Sequence, residues 1–288
     1  MSKQVKHLET IHTVHELRRQ VAEWRLNALT VAIVPTMGAL HEGHMSLVDR
    51  ALKIADRSIV SIFVNPTQFS KGEDLERYPR NEEDDLKKLT SVGVDVVYMP
   101  RVNEMYKSRA LTKVSVDELS QRLCGLHRPE LFPGVATVVT KLLIQCSPDY
   151  AIFGEKDYQQ LQVIKQLVSD LDIPVNIVPQ DTVREKDGLA LSSRNVYLNA
   201  EQRILAPLLY SELQKVAFEC QDGIPVEEVI ANGRSRLIEL GFSKVDYFSL
   251  CDPLKLNPLK NLDGPARLLA AAWLGNTRLI DNIEVLPK

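Results

Sequence analysis

A chain of 288 residues can bury a sizeable core in one large or two medium domains. Its 35 basic and 38 acidic side chains leave a net charge of −3, so no broad field draws in nucleic acid or a membrane surface, and neither is expected as a partner. The four cysteines, Cys124, Cys146, Cys220 and Cys251, form no CxxC pair, which argues against a cysteine zinc site or disulfide framework and for a reducing cytoplasm. The N-terminal "MSKQVKHLETIHTVHELRRQ" carries charges where a leader needs an apolar core, and the oiliest run, "RLLAAAWLG", is too short to span a bilayer.

In chain order, "TVAIVPT" reads as a buried strand, followed by a helix from about His44 with Leu47, Val48, Ala51, Leu52 and Ala55 on one face. "SIVSIFVN" is the next strand. A helix opened by Asn81, with Glu82 and Glu83 in its first turn, precedes strand "VDVVYMP". Helix "GVATVVTKLLIQC", strand "DYAIFG", helix "YQQLQVIKQLVSDL" and strand "VNIVPQ" follow. Strands alternating with helices predict an α/β fold with a parallel sheet covered on both faces. Right-handed crossovers then bring the loops after the strands to one edge, where ligands bind. Beyond residue 183 the pattern changes. A long helix capped by Asn199 and a second over "PVEEVIANGRSRLIELG" lead to three strand-like runs, "KVDYFSLC", "RLLAAAWL" and "TRLIDNIEV". The chain therefore divides into 1–183 and a smaller α+β domain, 184–288.

The loop "HEGH" after the first strand holds His41 and His44. It is one residue short of the zinc-protease pattern H-E-x-x-H and lacks an obvious third metal ligand. A strand-to-helix junction with glycine is an anion site by construction, so phosphate binding is the better reading of these histidines. In "FGEKDYQQL", Lys156 falls at the same sheet edge, as either a phosphate ligand or a solvated charge, and Asp157 either meets a ribose hydroxyl or caps the next helix. "LALSSRN" sets Ser192 and Ser193 beside Arg194, donors suited to phosphate oxygens. In "FVNPTQF", Asn65 and Gln68 offer neutral amides for hydroxyl or carboxylate recognition. Within the acidic run "NEEDDLKK", usually a solvated face, Asp84 is a candidate ligand for Mg²⁺ carrying nucleotide phosphates.

Taken together, "PTMGALHEGHMSLV", "FVNPTQF", "GEDLERYPR", "FGEKDYQQL" and "LALSSRN", with "TRLIDN" near the C-terminus, resemble the pantothenate synthetase (pantoate–β-alanine ligase) family in order and spacing over nearly the whole chain. The resemblance implies a Rossmann-like nucleotidyltransferase domain with a smaller C-terminal lid, and a homodimer joined through the N-terminal domains. It implies condensation of pantoate with β-alanine, driven by ATP with Mg²⁺, through a pantoyl adenylate and with release of AMP and pyrophosphate. On this reading His41 and His44 contact the phosphates, His44 counting most in adenylation. Lys156, Ser192, Ser193 and Arg194 bind phosphate, and Asp84 holds part of the Mg²⁺. Gly154 and Asp157 face the ribose, and the backbones of Met37 and Val183 the adenine. Gln68 and Gln160 hold pantoate with Asn65 nearby, and Tyr78 belongs to a flap over it. One departure is "HRPELFPGV", where the family reads "RPxHFxGV". Leu131 stands for the histidine while Arg128, Phe132, Gly134 and Val135 stay in register. No general base for the amine step is visible, so its proton is expected to pass to the AMP phosphate or water. Two rivals are a nucleotidyltransferase acting on a phosphorylated alcohol, which needs a cationic acceptor site at Gln68 and Gln160, and a non-catalytic nucleotide sensor.

Overall fold

Val31, Ala32, Ile33 and Val34 have no exposed surface, as a strand covered on both faces requires. The computed structural model describes residues 8–70 and 72–288. The first seven residues, part of the stretch read above for a leader, lie outside the described residues. The chain runs β1 (Glu9–Ile11), α1 (Val14–Leu26), β2 (Val31–Thr36), α2 (Glu42–Ile54), β3 (Arg57–Ile62), α3 (Glu82–Val92), β4 (Val96–Tyr98) and α4 (Val102–Met105). It continues through α5 (Cys124–His127), α6 (Leu131–Cys146), β5 (Tyr150–Gly154), α7 (Tyr158–Asp170) and β6 (Asn176–Gln180). These six strands pair in parallel in the order β1-β4-β3-β2-β5-β6. Alternate residues of β2 serve the two faces. Ile33 joins the core under α1 and α6, and Ala32 and Val34 join the one under α2 and α3. The strand order reverses between β2 and β5, so the loops leaving these two strands flank one crevice.

The second unit holds α8 (Ala200–Leu205), α9 (Leu208–Gln221), α10 (Val226–Glu239) and an antiparallel sheet of β7 (Lys244–Cys251), β8 (Ala266–Leu274) and β9 (Thr277–Val285). One face of that sheet, with Phe248, Leu250, Leu268 and Ala270, packs on Leu213, Val216, Val229 and Leu237 of α9 and α10. The other, with Tyr247, Cys251, Leu269 and Ala271, packs on Phe132 and Ala136 of α6 and on Val163 and Leu167 of α7. The two units thus share a dry apolar seam, and relative movement has to slide along packed side chains.

Several expectations are corrected. Helix α2 opens at Glu42, not His44, because His41 is its cap. The long helix after Asn199 is broken. Asn199 caps α8, and Pro207, which lacks an N–H and crowds the preceding turn, stands before α9. Residues 193–197 form a 3₁₀ turn. The N-terminal β1 and α1 were missed, although Thr13 and Glu16 make a reciprocal capping box that was legible as T-x-x-E. All four cysteines are buried and free, and among the described residues no helix is long and apolar enough to cross a membrane.

Gly134 shows how tightly α6 meets the turn that carries Gln68. A Cβ there falls 2.4 Å from the Thr67 carbonyl oxygen. Gly134→Ala is expected to lower stability by about 1–3 kcal/mol through overpacking. Urea denaturation measures it, and an unchanged midpoint would show that turn and helix part at no cost.

Candidate active site

The loop leaving β2 turns sharply because Gly38 and Ala39 both adopt left-handed backbone, φ +79° and +50°. That conformation aims successive N–H groups at one point. The point is Asp85, 1 % exposed, whose carboxylate accepts from Ala39 N at 2.8 Å and Leu40 N at 2.7 Å. One turn along α3, Lys88 donates to the Leu40 carbonyl at 2.7 Å. The buttressed loop delivers His41 to the N-terminus of α2. Its Nδ1 accepts from Gly43 N at 3.1 Å, and His44 Nδ1 accepts from His41 N at 3.4 Å. A Cβ on the glycine between them would meet the His41 ring at 2.9 Å and displace it.

With both Nδ1 atoms accepting, each ring carries its proton on Nε2. The rings stack at 4.0 Å between centroids. Burial, reinforced by the Lys156 ammonium, lowers His41 from 6.5 to about 4. Burial, then its neighbour His41, then Lys156, lowers His44 to about 3. Two neutral N–H donors therefore stand at the helix N-terminus, with a cation beside them.

A cavity of about 770 Å³ opens over this junction. Met37, His41, His44, Asn65, Gln68 and Tyr78 line it from the loops after β2 and β3. Gly154, Lys156, Asp157 and Gln160 line it from the β5–α7 junction, Val183 from the segment after β6, and Ser192, Ser193 and Arg194 from the second unit's first segment. The structure thus brings together all the candidate residues except Asp84. That carboxylate is absent from the lining, half exposed and 2.6 Å from Lys88. Among the described residues no group of three or more His, Cys, Asp or Glu is arranged to hold a metal. Asp85, the neighbour of Asp84, is likewise absent from the lining and anchors the loop from behind.

Asn65 is also reassigned. Its Oδ1 accepts from Thr67 Oγ1 at 2.9 Å and Tyr106 Oη at 2.8 Å, and its Nδ2 donates to Gln68 Oε1 and Gly134 O, both at 3.1 Å. With its capacity used, it orients Gln68. Gln68 Nε2 in turn points at the Met37 thioether, 2.9 Å away, a weak acceptor that a ligand oxygen readily displaces. Gln160 makes no hydrogen bond to a described residue, whereas the adjacent Gln159 is buried and bonded to Leu119 O, Arg122 O and Cys124 N. Asp157 makes no capping bond to α7, which removes its helix-cap reading, and it lies 3.7 Å from Lys156 Nζ.

Asn282, Glu73 and Asp74, which sequence reasoning passed over, fix the surroundings. Asn282 Nδ2 donates to the Glu155 and Lys156 carbonyls, both at 3.0 Å, so β9 holds the Lys156 loop from the second unit. Its signal was the quoted "TRLIDN". The segment from Glu73 to Arg77 is pinned on two sides. Arg128 pairs with Glu73 at 2.6 Å, and Arg194 grips Asp74 through Nε and Nη2 at 2.9 and 3.0 Å. Tyr78, 6 % exposed, packs under Arg194 at the end of this segment. Leu131 lines the cavity at the first turn of α6.

Because His44 binds its proton far less readily folded than at its ordinary 6.5, the unfolded chain holds more protons between those values. Stability is then lost as pH falls through that window. His44→Gln is expected to flatten the fall by up to about 1.4 kcal/mol per pH unit, measured by denaturation between pH 6 and 4. An identical slope in both proteins would refute the neutral, buried state.

The family model described as Pantoate-beta-alanine ligase matches residues 9–284. A pantothenate synthetase of Paramagnetospirillum magneticum is 53 % identical over 277 residues, covering 96 % of this chain and 98 % of that protein. One from Hyphomonas neptunium is 48 % identical, covering 96 % and 97 %. Among solved structures, pantothenate synthetase from Thermus thermophilus superposes with a TM-score of 0.90 at 44 % identity, over 97 % of this chain and all of that one. Pantoate-beta-alanine ligase from Francisella tularensis, complexed with beta-gamma ATP and beta-alanine, gives 0.82 at 34 % identity over 96 % and 97 %. The chain therefore belongs to the pantoate-beta-alanine ligase family and catalyses the ATP-dependent condensation of pantoate with β-alanine.

Proposed function

We propose that the condensation runs in this cavity in two steps, through a pantoyl adenylate. The pantoate carboxylate attacks the α-phosphorus of ATP and expels pyrophosphate. The β-alanine amine then attacks the activated acyl carbonyl and expels AMP. The observation that carries this reading is the pair of neutral imidazoles at the α2 N-terminus, their Nδ1 atoms tied to backbone and their Nε2–H groups left to donate. Negative charge grows on the phosphates as pyrophosphate leaves. Donors already fixed in place stabilise it without reorganising, each worth about 3–4 kcal/mol. His44 and His41 supply these donors and Lys156 the fixed positive charge. Ser192 and Ser193 add hydroxyls, and Arg194 adds Nη1, which its grip on Asp74 leaves uncommitted. Gly154 and Asp157 take the ribose, and the backbones of Met37 and Val183 the adenine. Gln68 and Gln160 take pantoate, with Asn65 holding the Gln68 amide in register.

Mg²⁺ enters on this reading with ATP, as the counterion of the triphosphate. The described side chains offer no ligand cluster for a resident ion, and Asp84 is engaged by Lys88. Neither active-site imidazole has a lone pair free to accept the amine proton, which passes to the AMP phosphate or water. The same reading divides the chain into a nucleotide- and pantoate-binding domain, 1–183, and a smaller domain, 184–288, that closes over the site. By family resemblance the protein is a cytoplasmic homodimer.

Isotope exchange between pyrophosphate and ATP, run with pantoate and without β-alanine, tests the adenylate directly. Exchange that requires pantoate is expected, and its absence from protein that turns over the full reaction would overturn the stepwise route. His44→Ala is expected to slow that exchange at least about tenfold with the fold intact. Gln160→Ala is expected to raise KM for pantoate while leaving KM for ATP in place. Unchanged pantoate kinetics would remove Gln160 from the site.

A further inference from the structure

The cavity has a second polar wall, away from the histidines, built where β7 and β9 face α5. Arg278 on β9 is its centre, with only 11 % of its side chain exposed. Its Nε donates to Asp246 Oδ2 at 2.8 Å. Its two terminal nitrogens meet the Cys124 sulfur, each at 3.6 Å, and the neighbouring Tyr247 phenol, which shares the same sulfur at 3.1 Å. Sulfur is a weak acceptor, and a guanidinium normally spends its terminal nitrogens on a planar oxygen pair. Among the described residues this fork has none.

Around it, Lys244 Nζ lies 2.8 Å and His127 Nδ1 3.8 Å from Asp246 Oδ1. Lys244 and Arg278 bring two positive charges against the single carboxylate of Asp246, so the wall carries one uncompensated positive charge. All of these residues line the one cavity that also holds the imidazoles. Of the substrates, β-alanine alone brings a carboxylate that survives the whole reaction. That of pantoate is consumed at the phosphate.

We propose that Arg278, assisted by Lys244 and His127, forms the subsite that takes the carboxylate of β-alanine and leaves its amine facing the activated acyl group. The inference deepens the stepwise reading above and rests on it. A carboxylate fills the guanidinium fork bidentately and neutralises the wall. It also sets specificity. An amine without a carboxylate leaves the buried fork unmatched, and an α-amino acid holds its amine one carbon too close to the anchor. Specificity then comes from an unpaired polar group in the wrong complex, the strongest discrimination a site can make.

The test pairs KM for β-alanine with pantoate-dependent pyrophosphate exchange, which needs no β-alanine and so reports the adenylation end of the cavity separately. Arg278→Lys keeps the charge but loses the fork, and is expected to raise KM for β-alanine at least tenfold while exchange persists. Arg278→Gln should narrow the preference for β-alanine over n-propylamine. Lys244→Met, at a side chain 62 % exposed whose loss leaves the core untouched, should raise KM for β-alanine severalfold. If the Arg278 variants fail to fold, shown by loss of exchange together with ellipticity, Lys244→Met decides alone. Unchanged KM for β-alanine in variants that retain exchange overturns the proposal and leaves the stepwise reading standing. Absence of exchange from the unaltered enzyme strikes that reading instead.

Discussion

The placement of the two cavity histidines depends on one buried carboxylate. Asp85 takes the N–H groups of Ala39 and Leu40 and so holds the loop after β2 in a left-handed turn that a free chain populates poorly. The turn decides where α2 begins, and that decides which histidine is a cap and which nitrogens remain for a ligand. The carboxylate sits in a nest of N–H groups of the kind that elsewhere binds external anions. Here the protein fills that nest itself, and the two imidazoles stand just beyond it at the start of α2.

The second constraint is the closure between the two units. Asn282 reaches across from β9 to two carbonyls of the Lys156 loop, Arg267 meets Glu155 at 3.1 Å, and Arg184 pairs with Asp281. Beneath these polar ties lies the apolar seam of Tyr247, Leu269 and Ala271 against α6 and α7. A unit so attached cannot swing freely. The segment from Glu73 to Tyr78 is tied by charged pairs to Arg128 and Arg194 and by the buried Tyr78 ring against Phe69.

Much of the fold was legible because its signals are local. The run "TVAIVPT" is a buried strand by composition, Asn81 opens a helix by its side chain, and each strand of the second unit is a short apolar or alternating run. Where a local signal had to compete with a neighbour, reading failed. The helix after Asn199 looked continuous because its apolar spacing outweighed Pro207, and the short β1 was too brief to show any period. At the site, residue types picked out side chains that the fold gathers in one cavity, since histidine, lysine, serine and arginine at strand-to-helix junctions have a chemistry that spacing reveals. Asp84 and Asp85 could not be told apart that way. Both are carboxylates in the first turn of one helix, and only the direction each faces, out to Lys88 or in to the Ala39 turn, separates their roles.

The amino-acid order by itself determined the alternation of strands and helices, and hence a parallel sheet with its loops gathered at one edge. It also determined the set of donors suited to a triphosphate. Those properties follow from side-chain size, period and capping, which act over a few residues. The tertiary structure alone decided which nitrogen of each histidine is free and that Asn65 bonds to the Gln68 amide. It also decided that Arg278, far along the chain from Cys124 and His127, stands with them in the same cavity wall. These are properties of groups brought together from distant parts of the chain, where burial and the loss of water set protonation state and leave a guanidinium's terminal nitrogens on a weak sulfur acceptor.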